Sequence, residues 1–248
     1  MFVHGGSAHS GWWNHIAPFF ASTHRVVSLD LSGHGDSDVR TKYQMDLWAD
    51  EVIAAIDAGG ISGRPYVVGH SMGGWIAATI GTRHGDRVGG LVIIDSPLVR
   101  EISEASLAGP LRRTPRVYAR KSEISERFRP EPAQDSLAPY IVGHIAEESV
   151  RQTEAGWIWK FDQEMLRKRH KAGGLREAHG IVPNLRLPTV YIRCELGMVT
   201  PEMAADLDDL FSHHAIVIEL AKAGHHPMMD QPLSLVATLR AVLALWNR

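Results

Sequence analysis

The chain has 248 residues, of which 44% are apolar and 22% charged, a size and balance that fit one globular domain with an insertion and exclude disordered, collagen-like and coiled-coil chains. With 26 basic against 28 acidic residues, the formal net charge of −2 lacks the basic excess of a nucleic-acid binder, so no nucleic-acid partner is expected. The single cysteine, Cys194, excludes an intramolecular disulfide framework.

The chain opens on Met1-Phe2-Val3-His4-Gly5-Gly6, with neither the basic nor the apolar run of a signal peptide. No stretch approaches the roughly 18 apolar residues that span a bilayer, so a soluble, cytoplasmic protein without a membrane partner is expected. Five short β-rich runs come next in order, at 25–30, 65–69, 91–95, 189–193 and 215–220, each about five aliphatic residues ending in a polar or glycine turn. Helical patterns near 43–59, 72–85, 201–212 and 231–247 lie between and after them. Near-continuous apolar strands alternating with helices imply an α/β fold, a mostly parallel sheet covered on both faces.

One region breaks the alternation. Between Ser96 and Leu187 there is no convincing strand, several helical pieces and a basic bias of 16 Lys and Arg against 12 Asp and Glu. This predicts a core formed by 1–95 and 188–248, with 96–187 inserted as a helical lid. Its charge is read first as solvated helix faces. Trp157, Trp159 and Phe161 alternate within it, which is read as lid core ahead of substrate pocket; Lys160 and Asp162 carry no assignment.

Three motifs carry chemistry. Gly69-His70-Ser71-Met72-Gly73 stands between a strand and a helix, the context that a G-x-S-x-G nucleophile elbow requires. Its serine sits on a strained turn with the hydroxyl at the positive end of the following helix, which makes Ser71 the candidate nucleophile. Gly224-His225-His226-Pro227 comes after the last strand. A serine hydroxyl needs a histidine to take its proton, and His225, immediately after the glycine, is favoured over His226. His4-Gly5-Gly6 is a glycine-rich loop of the kind that donates one of two backbone N–H groups to an oxyanion; Gly6 is the candidate, with Met72 beside the nucleophile as the second.

With these residues in view, the sequence resembles the α/β-hydrolase fold family, serine hydrolases with a helical cap. HGGSAHSGWW (4–13), DLSGHGDSD (30–38), GHSMGG (69–74), IIDSP (93–97), GWIWKFD (156–162) and AGHHPMMDQP (223–232) carry the resemblance over essentially the whole chain. It implies a Ser–His–acid triad acting on a small-molecule acyl substrate with no metal and no organic cofactor. The 30–38 segment then reads as a structural turn, with Asp36 and Ser37 capping the next segment, and Trp12 and Trp13 as packing beneath the HGG loop.

Two departures stand out. The family has two strands ahead of the HGG loop, and this chain starts inside the third; the N-terminal strands are missing, either because the true start lies upstream or because that sheet edge is absent. Second, relatives carry the triad aspartate in the loop after the strand at 189–193, where this chain has Arg193-Cys194-Glu195-Leu196-Gly197 and Gly197 takes the aspartate's place. Asp95, at the end of the strand after the nucleophile, is the first candidate acid because some α/β-hydrolases take theirs from there; Glu195 is the alternative acid, and a site with no acid is the third possibility.

The resulting expectation is a carboxylic ester hydrolase working through an acyl-enzyme on Ser71. Lactonase, thioesterase, C–C bond hydrolase and cofactor-free haloperoxidase chemistry on the same residues remain open, as does a non-catalytic small-molecule-binding protein. The basic cap faintly favours anionic substrates.

Overall fold

The computed structural model describes residues 1–98, 116–165, 180–211 and 214–247. In chain order these form β1 (Phe2–Val3), α1 (Met45–Ala58), β2 (Tyr66–His70), α2 (Met72–Arg83), β3 (Gly90–Ile94), α3 (Lys121–Ser125), α4 (Pro139–Glu148), β4 (Val150–Thr153), β5 (Gly156–Trp159), β6 (Thr189–Leu196), α5 (Pro201–Leu210), β7 (Ala215–Gly224), α6 (Pro227–Asp230) and α7 (Pro232–Trp246). Strands β1, β2, β3, β6 and β7 make one parallel sheet in that spatial order.

Successive strand residues point to opposite faces, and both faces are buried. Val3, Val67, Leu91, Ile93 and Tyr191 pack with α1, α2 and α5, while Phe2, Val68, Val92, Ile94, Val190 and Ile192 pack with α7 through Leu235, Val236, Leu239 and Val242. Covering both faces explains why these strands read as unbroken apolar runs. Helix α2 is buried from Met72 through Ile80, because α1 covers the side that the sheet does not.

Two expectations need correction. The run at 25–30 is extended but forms no strand: it meets β1 through a single parallel bridge, Phe2 to Ser28, with Phe2 N donating to Val27 O at 2.8 Å. A partner only two residues long supports no longer ladder. The segment between β3 and β6 is not purely helical either. Its β4 and β5 form an antiparallel hairpin pairing Val150 with Trp159 and Gln152 with Trp157. The alternation of Trp157 and Trp159 is a period-2 strand signal; both pack on Tyr118, Ile124 and Val150 in a small cluster of their own.

The hairpin is fastened to the 30–38 turn. Phe161 bridges to His34, Asp162 N donates to Gly33 O at 2.8 Å, Tyr43 Oη donates to Asp162 at 2.8 Å and Lys160 pairs with Asp36 at 2.7 Å. Asp36 and Ser37 therefore cap no following segment. The turn is closed by Asp30, which accepts from Asp36 N at 2.8 Å and Ser10 N at 2.7 Å and whose carbonyl accepts from Ser37 Oγ at 2.6 Å. No helix among the described residues is long and apolar enough to cross a membrane.

Candidate active site

Ser71 stands between β2 and α2 with φ 52° and ψ −117°, a conformation that costs a non-glycine residue about 1–3 kcal/mol. The surroundings hold it there. Its N–H donates to Ile94 O at 2.9 Å, and its carbonyl accepts from Gly74 N at 2.9 Å and from Ser96 Oγ at 2.7 Å. The flanking glycines are required by close approach: a Cβ on Gly69 would lie 2.1 Å from Gly73 O, and one on Gly73 would lie 2.4 Å from Val3 O. The turn thus closes on itself and against β1, lifting the Ser71 hydroxyl above the carboxyl end of the sheet.

His225 comes directly after β7, two strands from β3 in the sheet, and its ring reaches back over β6. Its Nε2 is 3.0 Å from Ser71 Oγ, and its Nδ1 is 2.7 Å from Asp95 Oδ2. Asp95, directly after β3, is fully buried and adopts φ 45°; its Oδ2 also accepts from Met198 N at 2.7 Å and its Oδ1 from Cys194 N at 3.2 Å. The structure therefore brings Ser71, His225 and Asp95 into one chain of hydrogen bonds. The carboxylate acceptor at Nδ1 fixes the imidazole tautomer, leaving the Nε2 lone pair facing the serine.

Glu195 is not part of this arrangement. It is exposed, and its carboxylate accepts from Lys222 N at 2.7 Å. Gly197, at the place the resemblance gives to an aspartate, lies against Asp95: a Cβ there would be 2.3 Å from Asp95 Oδ2 and 2.6 Å from its Cγ. The volume of the absent side chain is filled by the Asp95 carboxylate. Arg193 holds this loop from below by donating to Val199 O at 2.8 Å and Glu195 O at 3.2 Å while pairing with Glu219.

The HGG loop lies across the elbow. A Cβ on Gly5 would be 3.3 Å from Ser71 Cβ, and one on Gly6 would meet only the Met72 sulfur, at 3.8 Å. Sequence reasoning singled out the two glycines and passed over His4, which anchors the loop: its Nδ1 donates to Gly5 O at 2.7 Å and its Nε2 accepts from Leu31 N at 3.1 Å. Burial depresses the His4 pKa to about 4, so the ring stays neutral.

His70 and His226 flank His225, with ring centroids 4.7 Å away in each case. Burial, reinforced by the neighbouring imidazoles, lowers the His70 pKa well below its ordinary value and takes His226 to about 3. Both rings are therefore neutral and do not repel a positive charge forming on His225. One ring nitrogen from each of the three lies within 4.8 Å of the others. Tetrahedral zinc with Zn–N bonds of ~2.0–2.1 Å needs them much nearer. His70 Nε2 already donates to His225 O at 2.6 Å, and His225 has both nitrogens engaged with Asp95 and Ser71, so the cluster as folded is one hydrogen-bonded imidazole with two flanking rings.

The indoles part company. Trp13 stacks on Phe2 at 4.8 Å in the core, whereas Trp12 faces His226 at 5.3 Å and Phe128 at 6.1 Å. Trp12 therefore stands beside the histidines rather than only under the HGG loop. Gln134, which no motif marks, hydrogen-bonds the His225 loop through His226 N; its place in an irregular, proline-rich stretch gives no periodic signal that could have flagged it.

A parallel sheet with a strained serine after β2, an acid after β3 and a histidine after β7 is the architecture of a hydrolase. The chain belongs to the α/β hydrolase family, whose model matches residues 1–239. It is 26% identical over 251 residues to esterase Rv0045c of Mycobacterium tuberculosis, covering 98% of this chain and 82% of that one. It is 32% identical over 244 residues to 2-hydroxy-6-oxo-6-(2'-aminophenyl)hexa-2,4-dienoic acid hydrolase of Metapseudomonas resinovorans, covering 94% and 79%. Among solved structures, E-2-(acetamidomethylene)succinate hydrolase superposes with a TM-score of 0.83 at 19% identity, covering 98% of this chain and 90% of that one. The chain is an enzyme of the ester hydrolase type.

Proposed function

We propose that the protein is a serine hydrolase that cleaves a carboxylic ester or related acyl bond of a small molecule through an acyl-enzyme on Ser71. The hydrogen-bonded order Ser71, His225, Asp95, at 3.0 and 2.7 Å on a strained elbow, carries this reading. His225 takes the serine proton as the hydroxyl attacks the carbonyl carbon, then delivers it to the leaving group; a water attacks the acyl-enzyme with the same base removing its proton. Asp95 orients the imidazole and offsets its positive charge in the tetrahedral state.

The oxyanion is assigned to the N–H groups of Gly6 and Met72. Met72 follows the nucleophile as the first residue of α2, at the positive end of that helix, and Gly6 lies beside it. Residues 96–187 are read as the cap over this site, with the 150–161 hairpin pinned to the 30–38 turn as one hinge. A second chemistry, hydrolysis of a C–C bond, would use the same nucleophile and base, and is supported by the similarity to the Metapseudomonas resinovorans dienoic acid hydrolase over 94% of this chain.

Turnover of p-nitrophenyl butyrate by the wild type, Ser71→Ala and Asp95→Asn tests the assignment. Loss to the blank in Ser71→Ala and a fall of about 10⁴-fold in Asp95→Asn support it. An Asp95→Asn variant close to wild type refutes the acid.

A further inference from the structure

The segment between β3 and β6 reaches into the His225 loop through the Gln134 side chain. Its Oε1 accepts from His226 N at 2.5 Å and its Nε2 donates to Asp230 Oδ2 at 2.9 Å. The same carboxylate oxygen accepts from Gly224 N at 2.6 Å. Gly224 and His226 are the two chain neighbours of His225, so one amide governs the backbone on both sides of the imidazole. The packing is equally close: a Cβ on Gly224 would lie 2.5 Å from Gln134 Nε2. Nearby, Glu131 O accepts from His226 Nε2 at 3.1 Å and Ala138 N donates to Met229 O at 3.0 Å.

We propose that Gln134 is a positioning residue for the base, and that the 131–138 segment must be seated on the 224–230 loop before the site is competent. The inference rests on reading His225 as that base. The chemistry explains the residue type. The position must accept from an N–H and donate to a carboxylate at once, which an amide does and a carboxylate or an aliphatic side chain does not. The geometry explains the need: β7 is the edge strand, and its loop must carry His225 back across β6 to meet Asp95 and Ser71. A misplacement of about 1 Å in such a group costs on the order of 10²-fold in rate.

The test measures kcat and KM for p-nitrophenyl butyrate from pH 5 to 9 in the wild type, Gln134→Ala and Gln134→Glu, with Ser71→Ala and His225→Ala as blanks and circular dichroism as the check on folding. Gln134→Ala should lower kcat about 10- to 100-fold and leave KM within about 2-fold, since the ester's own contacts are intact. Gln134→Glu keeps the acceptor for His226 N but sets a second carboxylate against Asp230, with His225, His226 and Glu131 as the other titratable groups around the loop. As pH falls the two carboxylates share a proton and the missing donor returns. The ratio of Gln134→Glu to wild-type kcat should therefore rise toward acid pH, a signature that simple loss of packing does not produce, and this ratio decides the matter if the alanine variant fails to fold. A Gln134→Ala kcat within about 2-fold of wild type, or a Gln134→Glu ratio flat with pH, overturns the proposal. A His225→Ala enzyme that stays active overturns the base assignment instead, and this inference with it, by a result read on a different variant.

Discussion

Gly197 gives the sharpest test of how the acid is placed. Replacing it with alanine puts a Cβ 2.3 Å from Asp95 Oδ2, about 1 Å inside ordinary contact. The carboxylate is the part that must yield, because the 195–199 loop is held by Arg193 and by Asp95 itself. Yet Asp95 Oδ2 is the atom that meets His225 at 2.7 Å, so a shift of that size breaks the orientation of the imidazole. Misplacement by about 1 Å costs on the order of 10²-fold, or about 2.7 kcal/mol of barrier. Gly197→Ala should therefore lower kcat/KM for p-nitrophenyl butyrate about 10²-fold, between wild type and the about 10⁴-fold loss expected of Asp95→Asn. The reciprocal exchange is the stronger form. Asp95→Gly suits the φ of 45° at that position and empties the space that Gly197→Asp would fill. The double variant should recover at least about 10-fold over Asp95→Gly alone. A Gly197→Ala enzyme with near wild-type kcat/KM refutes the steric argument.

Two further outcomes derive from burial. His4 and His226 are held neutral in the fold, at about 4 and about 3 against 6.5 for the free side chain. Between pH 7 and 5 the unfolded chain takes up protons that the folded one refuses, so stability must fall as pH falls; His4 alone accounts for about 2 kcal/mol by pH 5. Urea midpoints at pH 7 and pH 5 measure this, and a stability that is flat or higher at pH 5 contradicts it. Cys194 is fully buried, and burial pushes its thiol pKa up, so a disulfide thiol reagent should leave the native enzyme unlabelled and react once urea unfolds it. Stoichiometric labelling of the folded protein would show that the site opens.

Much of this was legible in the chain. Four strands and four helices stand within a few residues of where apolar periodicity puts them, because burial on both sheet faces and on one helix face leaves a direct imprint on composition. The placement of Ser71 and His225 was legible because each stands at a strand end in a glycine context that close packing demands. Asp95 stood first among the candidate acids in the sequence, but only the 2.7 Å contact with His225 separates it from Glu195. The 25–30 run misled because extended conformation is local while a strand needs a partner of equal length. The 150–159 hairpin was hidden because its strands are four residues each and half-exposed. Gln134 and His4 each accept a hydrogen bond from the backbone of a distant residue, His226 and Leu31, and such contacts leave no spacing to read.

The position of the acid shows how one requirement in space can be met from two places in the sequence. β3 and β6 are adjacent and parallel, paired from Leu91 with Thr189 to Ile94 with Ile192, so their carboxyl ends lie one strand spacing apart, about 4.8 Å. A carboxylate that must stand under the imidazole can be supplied from either end. From β3 it is supplied by Asp95 directly, at the cost of a positive φ. From β6 it would have to come from a side chain at 197, and the two cannot coexist because each occupies the other's volume. His225 has no such choice. It stands after β7, the edge strand among the described residues, beyond β6, and reaches Asp95 only by folding back, which is why its loop gathers restraints from His70, His15, Asp230 and Gln134. Asp95 is rigid because its strand end is buried; the histidine must be tied, and part of what ties it lies in the segment between β3 and β6.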